Sequence, residues 1–219
     1  MSFTKDEIRA SMLLYAVTDR MWLKPGETLT GVCEPVLKSG ATFLQIREKD
    51  LDPAAFEREA RELKTLCARY RVPFVVNDSV EIALDIGADG VHVGQSDIKG
   101  RDLRALLGPT RILGISAGTV AEAEAAEAVG ADYIGVGAVF ATGTKKNART
   151  LTMERLRAIV NAVSIPVVAI GGISEDNLTE LAGSGVDGIA VVSAIFGAPD
   201  PGMAAARLRK RAQEMFGHG

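Results

Sequence analysis

The stretch Gly87-Ala88-Asp89-Gly90-Val91-His92-Val93-Gly94 sets the pattern of this 219-residue chain. A glycine suited to the left-handed end of a helix is followed by a small residue, an aspartate and at once by a short apolar run. The turn returns as Gly130-Ala131-Asp132 before Tyr133-Ile134-Gly135-Val136-Gly137, and as Gly185-Val186-Asp187 before Gly188-Ile189-Ala190-Val191-Val192. Each copy marks the passage from a helix into a strand, and together they are the nearest thing to an internal repeat.

Outward from these turns, β-branched or apolar runs predict strands over residues 13–17, 42–46, 73–76, 90–94, 111–115, 133–139, 166–170 and 188–192. Amphipathic stretches lie between them. From Asp52 to Tyr70, Phe56, Ala60, Leu63 and Cys67 recur three or four residues apart, and residues 119–129 and 152–163 repeat the period. Asp52-Pro53 reads as a cap followed by a first-turn proline, and Ser174-Glu175-Asp176 opens a helix acidic end first. Eight strands alternating with helices indicate a parallel sheet closed into a (β/α)8 (TIM) barrel, with residues 4–11 as a short extra helix capping its bottom. An open doubly wound sheet is the alternative. Against it, Val17-Thr18-Asp19-Arg20 stands where a Gly-x-Gly-x-x-Gly would follow the first strand. Residues 1–219 read as one domain.

Composition limits the function. Hydrophobic residues at 47% and charged residues at 24% suit a globular protein, and a net charge of −3 leaves no general basic surface for nucleic acid. No apolar run reaches the ~18 residues of a membrane span, and Met1 to Arg9 is too polar for a signal sequence, so a cytoplasmic protein is expected. Cys33 and Cys67, the only two cysteines, read as reduced, packed thiols. The oligomeric state stays open, a homo-oligomer included.

In such a barrel the chemistry belongs where strands end and βα loops begin. The second strand runs into Gln45-Ile46-Arg47-Glu48-Lys49, where alternation puts Gln45, Arg47 and Lys49 on one face and Ile46 on the other. An amide and two cations facing inward suit an anion; the plainer reading pairs Arg47 and Lys49 with Glu48 and Asp50 on a solvated rim. The third strand ends in Asn77-Asp78 and the fourth leads to Asp97. Two carboxylates without a His or Cys cluster suit a hard cation such as Mg²⁺, unless both merely cap the next helices. His92 reads as a hydrogen-bonded core residue. Ser116 would project a small donor into the mouth, and Thr119 would cap the next helix. The nearly bare alternate face of Gly135-Val136-Gly137-Ala138 leaves room for another group to come close, and Phe140-Ala141-Thr142-Gly143-Thr144-Lys145-Lys146 reads as a lid closing on phosphate or as a solvated loop. Gly171-Gly172-Ile173 and Val192-Ser193 open helices whose free N–H groups suit phosphate.

Together these segments resemble the thiamine-phosphate synthase family from Leu14-Tyr15-Ala16-Val17-Thr18-Asp19 to Ser193-Ala194-Ile195. The stretches that carry the resemblance are Gln45-Ile46-Arg47-Glu48-Lys49, Val76-Asn77-Asp78, Ala88-Asp89-Gly90-Val91-His92-Val93-Gly94-Gln95, Gly135-Val136-Gly137 with Thr142-Gly143-Thr144-Lys145, and Ile170-Gly171-Gly172-Ile173. The resemblance implies a transferase that joins a hydroxymethylpyrimidine diphosphate to a hydroxyethylthiazole phosphate with loss of diphosphate, the bond to diphosphate breaking early. It implies that Gln45, Ile46, Arg47, Glu48, Lys49 and Asn77 hold the pyrimidine diphosphate, with Ser116 and Lys145 also touching it. Asp78 and Asp97 would bind Mg²⁺. Thr142, Gly143, Thr144, Gly172, Val192 and Ser193 would hold the thiazole phosphate, and Arg47, Lys49 and Lys145 would neutralise the departing charge. Two positions depart from the family pattern: Gly118, where His or another polar residue is common, and Gly143, where proline is. A thiazole tautomerase of the same superfamily, or a non-catalytic barrel binding thiamine precursors, is the alternative reading.

Overall fold

In the computed structural model, which describes residues 3–97, 100–142 and 150–217, all eight expected runs form strands. They are β1 (Leu14–Val17), β2 (Phe43–Ile46), β3 (Phe74–Asn77), β4 (Gly90–Val93), β5 (Ile112–Ala117), β6 (Tyr133–Gly137), β7 (Val167–Ile170) and β8 (Gly188–Val191). All pair in parallel and in chain order, and β8 returns to β1, so the sheet is a closed (β/α)8 barrel rather than an open one. Expected ends shift by one or two residues. Pro73 and Pro166 fall outside their strands, having no N–H to give a ladder. β5 gains Ser116 and Ala117, which pair with Gly135 and Val136.

Helices α1 (Lys5–Ser11), α2 (Leu29–Lys38), α3 (Pro53–Tyr70), α4 (Val80–Asp85), α5 (Leu103–Leu107), α6 (Val120–Ala128), α7 (Met153–Ala162), α8 (Ser193–Phe196) and α9 (Pro201–Phe216) surround the strands. Asp52 and Thr119 cap α3 and α6 as expected, each accepting a backbone N–H three residues on. Phe56, Ala60, Leu63 and Cys67 are the buried face of α3. One expectation fails: Ser174-Glu175-Asp176 leads only into a single 3₁₀ turn, Leu178–Leu181. Asn177 accepts the Ser174 N–H and donates to the Gly172 carbonyl, tying the segment to the β7 loop, and Gly183 and Gly185 at positive φ end it. No helix among the described residues is long and apolar enough to cross a membrane.

The Gly-x-Asp turns do more than end helices. Gly87, Gly130 and Gly185 have φ of 62°, 85° and 82°, as the turn requires. Asp89, Asp132 and Asp187 then accept the N–H of Phe74, Leu113 and Val167 on the neighbouring strand, at 3.0, 2.7 and 2.8 Å. Thr42 Oγ1 does the same for Leu14 N–H at 2.8 Å. The pairs β1–β2, β3–β4, β5–β6 and β7–β8 are thereby locked in register at the bottom of the barrel.

Two apolar layers meet at the sheet. The outer layer joins strands to helices and holds the free, buried thiols of Cys33 and Cys67. The inner layer is Tyr15, Val17, Phe43, Val75, Ile112, Tyr133, Val168 and Ala190, closed below by Ile8 of α1 and by Met12. α1 is therefore a plug, begun by a capping box between Thr4 and Glu7. Gly114 makes this packing possible: a Cβ there would lie 2.2 Å from the Tyr133 ring. With the bottom filled by side chains, chemistry is left to the opposite mouth.

Candidate active site

The mouth divides where β5 meets β6. On the β1–β5 side it is built from side chains. β2 ends at Ile46, whose side chain is fully buried in the outer core, while Gln45 points into the barrel and donates to Tyr15 Oη at 2.6 Å. Arg47 lies just past the strand. Its backbone N–H is held by Thr18 Oγ1 at 3.0 Å, and its guanidinium meets Asp19 at 3.2 Å. Glu48 turns away to Arg20, at 2.9 Å, which also grips Glu59. Arg47 and Glu48 therefore pair across the β1 loop, not with each other or with Asp50. Burial raises the Glu48 carboxyl above the usual carboxylate range, against the pull of Arg20. Lys49 is exposed on the rim.

At the end of β3, Asn77 donates to Asp78 Oδ2 at 2.6 Å. Asp78 has φ of 61°, a strained left-handed conformation for a non-glycine residue, fixed by its N–H donating to the His92 carbonyl. Its carboxyl reaches solvent on one side yet is crowded by the rim. That partial desolvation, and after it the negative charge of Asp97, raises it; Asn77, Arg47 and Lys49 pull the other way. Asp78, Asp97, Arg47 and Lys49 thus share one electrostatic neighbourhood. Neither aspartate caps a helix: Ser79 caps α4 and Asp102 caps α5, while Asp97 accepts from Gly94 N–H and Ser96 Oγ. No group of three or more acidic, His or Cys side chains is poised for a metal among the described residues. Two hard carboxylates that repel each other, with no soft ligand beside them, still match an ion that keeps waters and substrate oxygens as its other ligands.

Ser116 stands at the mouth end of β5. Its Oγ is 3.0 Å from His92 Nε2, and its carbonyl accepts from Gln95 Nε2 at 2.6 Å. His92 is a buried, hydrogen-bonded residue, as expected. Gly135 is bare because the His92 ring needs the space, a Cβ there falling 3.2 Å from Cε1, whereas Gly137 abuts the Ile170 carbonyl. At Gly118, whose N–H donates to Glu122, a Cβ would make only ordinary contact, so a side chain fits where this chain has none.

Among the described residues, the β6–β8 side is built mainly from backbone. Val139 N–H donates to the Ile170 carbonyl and Phe140 N–H to that of Gly171, zipping the β6 and β7 loops together. Gly171 and Gly172 have φ of 102° and 68°, and a Cβ on Gly172 would lie 2.4 Å from the Ala141 carbonyl oxygen. Thr142 lies on this zipped loop; Gly143, Thr144 and Lys145 lie outside the described residues. Val192 and the exposed Ser193 begin α8, whose first N–H groups have no partner within the helix.

A family model, "Thiamine monophosphate synthase", matches residues 14–195, from the first residue of β1 into α8. The chain belongs to this family. It is 44% identical over 204 residues to the thiamine-phosphate synthase of Clostridium tetani, covering 93% of this chain and 94% of that one. It is 48% identical over 187 residues to that of Ruminiclostridium cellulolyticum, covering 85% and 89%. The solved thiamine phosphate pyrophosphorylase of Pyrococcus furiosus superposes with a TM-score of 0.87 at 40% identity, covering 96% of this chain and all of that one. The resemblance read from the motifs is thereby borne out, and the chain is an enzyme of the transferase type. α1 and α9 lie outside the match, as a plug and an outer helix should.

Sequence reasoning missed several residues that shape the mouth. Asp19 and Arg20 orient Arg47 and Glu48, and their signal was two adjacent charges one residue past the end of a strand. Tyr15 and Tyr133 join Gln45 to His92, and their signal was a phenol in a strand buried on both faces.

Proposed function

We propose that the chain, acting as one catalytic domain over residues 1–219, joins 4-amino-2-methyl-5-(diphosphooxymethyl)pyrimidine to hydroxyethylthiazole phosphate. The products are thiamine phosphate and diphosphate. The observation that carries this reading is the charged neighbourhood of Arg47, Lys49, Asp78 and Asp97 on one side of the mouth, across from the glycine-rich loops after β6 and β7.

The pyrimidine methylene–oxygen bond breaks as diphosphate departs, leaving a ring-stabilised cation that the thiazole nitrogen captures. Such a reaction needs stabilisation of the leaving group more than a strong base. Arg47, held by Thr18 and Asp19, presents a fixed guanidinium to the departing oxygens. Lys49 adds charge from the rim, and Lys145, outside the described residues, would add another. Gln45 to Lys49, with Asn77 and Ser116, hold the pyrimidine diphosphate; Glu48 contributes through its backbone, its side chain being committed to Arg20. Asp78 and Asp97 fit Mg²⁺, which when bound would neutralise diphosphate charge. Gly172, Val192, Ser193 and residues 142–144 hold the thiazole phosphate through N–H and hydroxyl groups. This phosphate is retained in the product, so it needs firm binding and no chemistry.

The test is incubation of both substrates with Mg²⁺. Stoichiometric release of diphosphate and thiamine phosphate is expected; neither product appearing would refute the assignment.

A further inference from the structure

A line of polar side chains crosses the barrel interior beneath the mouth. Gln45 Nε2 lies 2.6 Å from Tyr15 Oη, Tyr15 Oη 2.7 Å from Tyr133 Oη, Tyr133 Oη 2.9 Å from His92 Nδ1, and His92 Nε2 3.0 Å from Ser116 Oγ. The two tyrosines are 1% and 0% exposed and Gln45 is 4% exposed. Phe43 packs against both tyrosines in the same layer, so an apolar ring fills such a position without any hydroxyl. The strands also make way for the line: Gly114 clears the Tyr133 ring and Gly135 the imidazole.

The donors fix a direction. An amide N–H can only donate, so Tyr15 Oη accepts from Gln45 and its single proton points to Tyr133. The single proton of Tyr133 then goes to His92 Nδ1, which must offer a lone pair. The ring hydrogen sits on Nε2 and is given to Ser116 Oγ, leaving the serine proton for an acceptor in the mouth. Burial raises both phenols above their ordinary range, which keeps them protonated as donors. We propose that Tyr15, Tyr133 and His92 form a positioning relay that presents Ser116 as a hydrogen-bond donor to an acceptor atom of the pyrimidine substrate. The inference rests on the reading above only in placing that substrate against Ser116.

The direct test is the ¹⁵N spectrum of the two imidazoles in the substrate-free protein, where His218 is the only other histidine. A pyridine-like Nδ1 and a protonated Nε2 on His92 are expected. An Nδ1–H tautomer or an imidazolium would overturn the relay, whatever the reaction turns out to be. Kinetics test its use. Tyr133→Phe should lower kcat/KM for the pyrimidine diphosphate about tenfold, the order of one hydrogen bond, with KM for the thiazole phosphate unchanged. Tyr15→Phe, one link further back, should cost less and leave His92 still bonded to Tyr133. Equal losses for both substrates in the two variants, or none, would reduce the line to core packing and refute the proposal.

Discussion

The two halves of the mouth are made of different material. From β1 to β5 it consists of side chains held by other side chains: Arg47 by Asp19, Glu48 by Arg20, Asp78 by Asn77, and Ser116 by His92. From β6 to β8 the described residues are mostly glycine, carbonyl and N–H, with two loops zipped together along their backbones. Charged side chains in a fixed setting suit an anion that must leave. Backbone suits one that must stay.

If that division is right, variants on the two sides should fail differently. Arg47→Ala should have the largest effect, lowering kcat on the order of 10²-fold with little change in KM for the thiazole phosphate; steady-state kinetics with each substrate varied would show it. Gly172→Ala should act on the other half. Its φ of 68° and the nearby Ala141 carbonyl leave no room for a methyl, so KM for the thiazole phosphate should rise about tenfold. Loss of kcat alone in that variant would break the comparison.

Arg20→Ala sharpens it, because Arg20 supports the charged half through its ion pairs with Glu48 and Glu59. Its loss would strand Glu48, whose side chain is 2% exposed, and should cost about 2 kcal/mol in denaturant unfolding. Arg20→Ala with Glu48→Gln should recover part of that stability. The last effect concerns neither half and is absent at neutral pH. Burial pushes the Cys33 thiol up to about 12, so the folded state keeps its proton where the unfolded chain has lost it. Stability should therefore fall as pH rises from about 8.5, the ordinary thiol value, towards 12, and a Cys33→Ala variant should show a shallower fall.

The eight strands could be read from apolar runs because a parallel barrel buries both faces of each strand, and the Gly-x-Asp turns announced where three begin. Arg47, Lys49, Asp78 and Asp97 could be picked out by position at strand ends. What the sequence did not disclose is pairing at a distance. Arg47 meets Asp19, 28 residues earlier, and Glu48 meets Arg20, while local reading offered only neighbours such as Asp50. The aspartate of each turn looked like punctuation, yet it bonds a backbone N–H on the adjoining strand. The segment after β7 looked like an α-helix, but Asn177 holds it to Gly172 and glycines cut it short. Tyr15 and Tyr133 drew no reading, because the partners of their hydroxyls come from other strands.

Binding of inorganic diphosphate, measured calorimetrically with and without Mg²⁺, tests most directly whether the charged half is built for the leaving group. Mg²⁺-dependent binding that survives in Gly172→Ala and is lost in Arg47→Ala is the expected result. Equal binding by Arg47→Ala and the unaltered protein, or loss confined to Gly172→Ala, would contradict it.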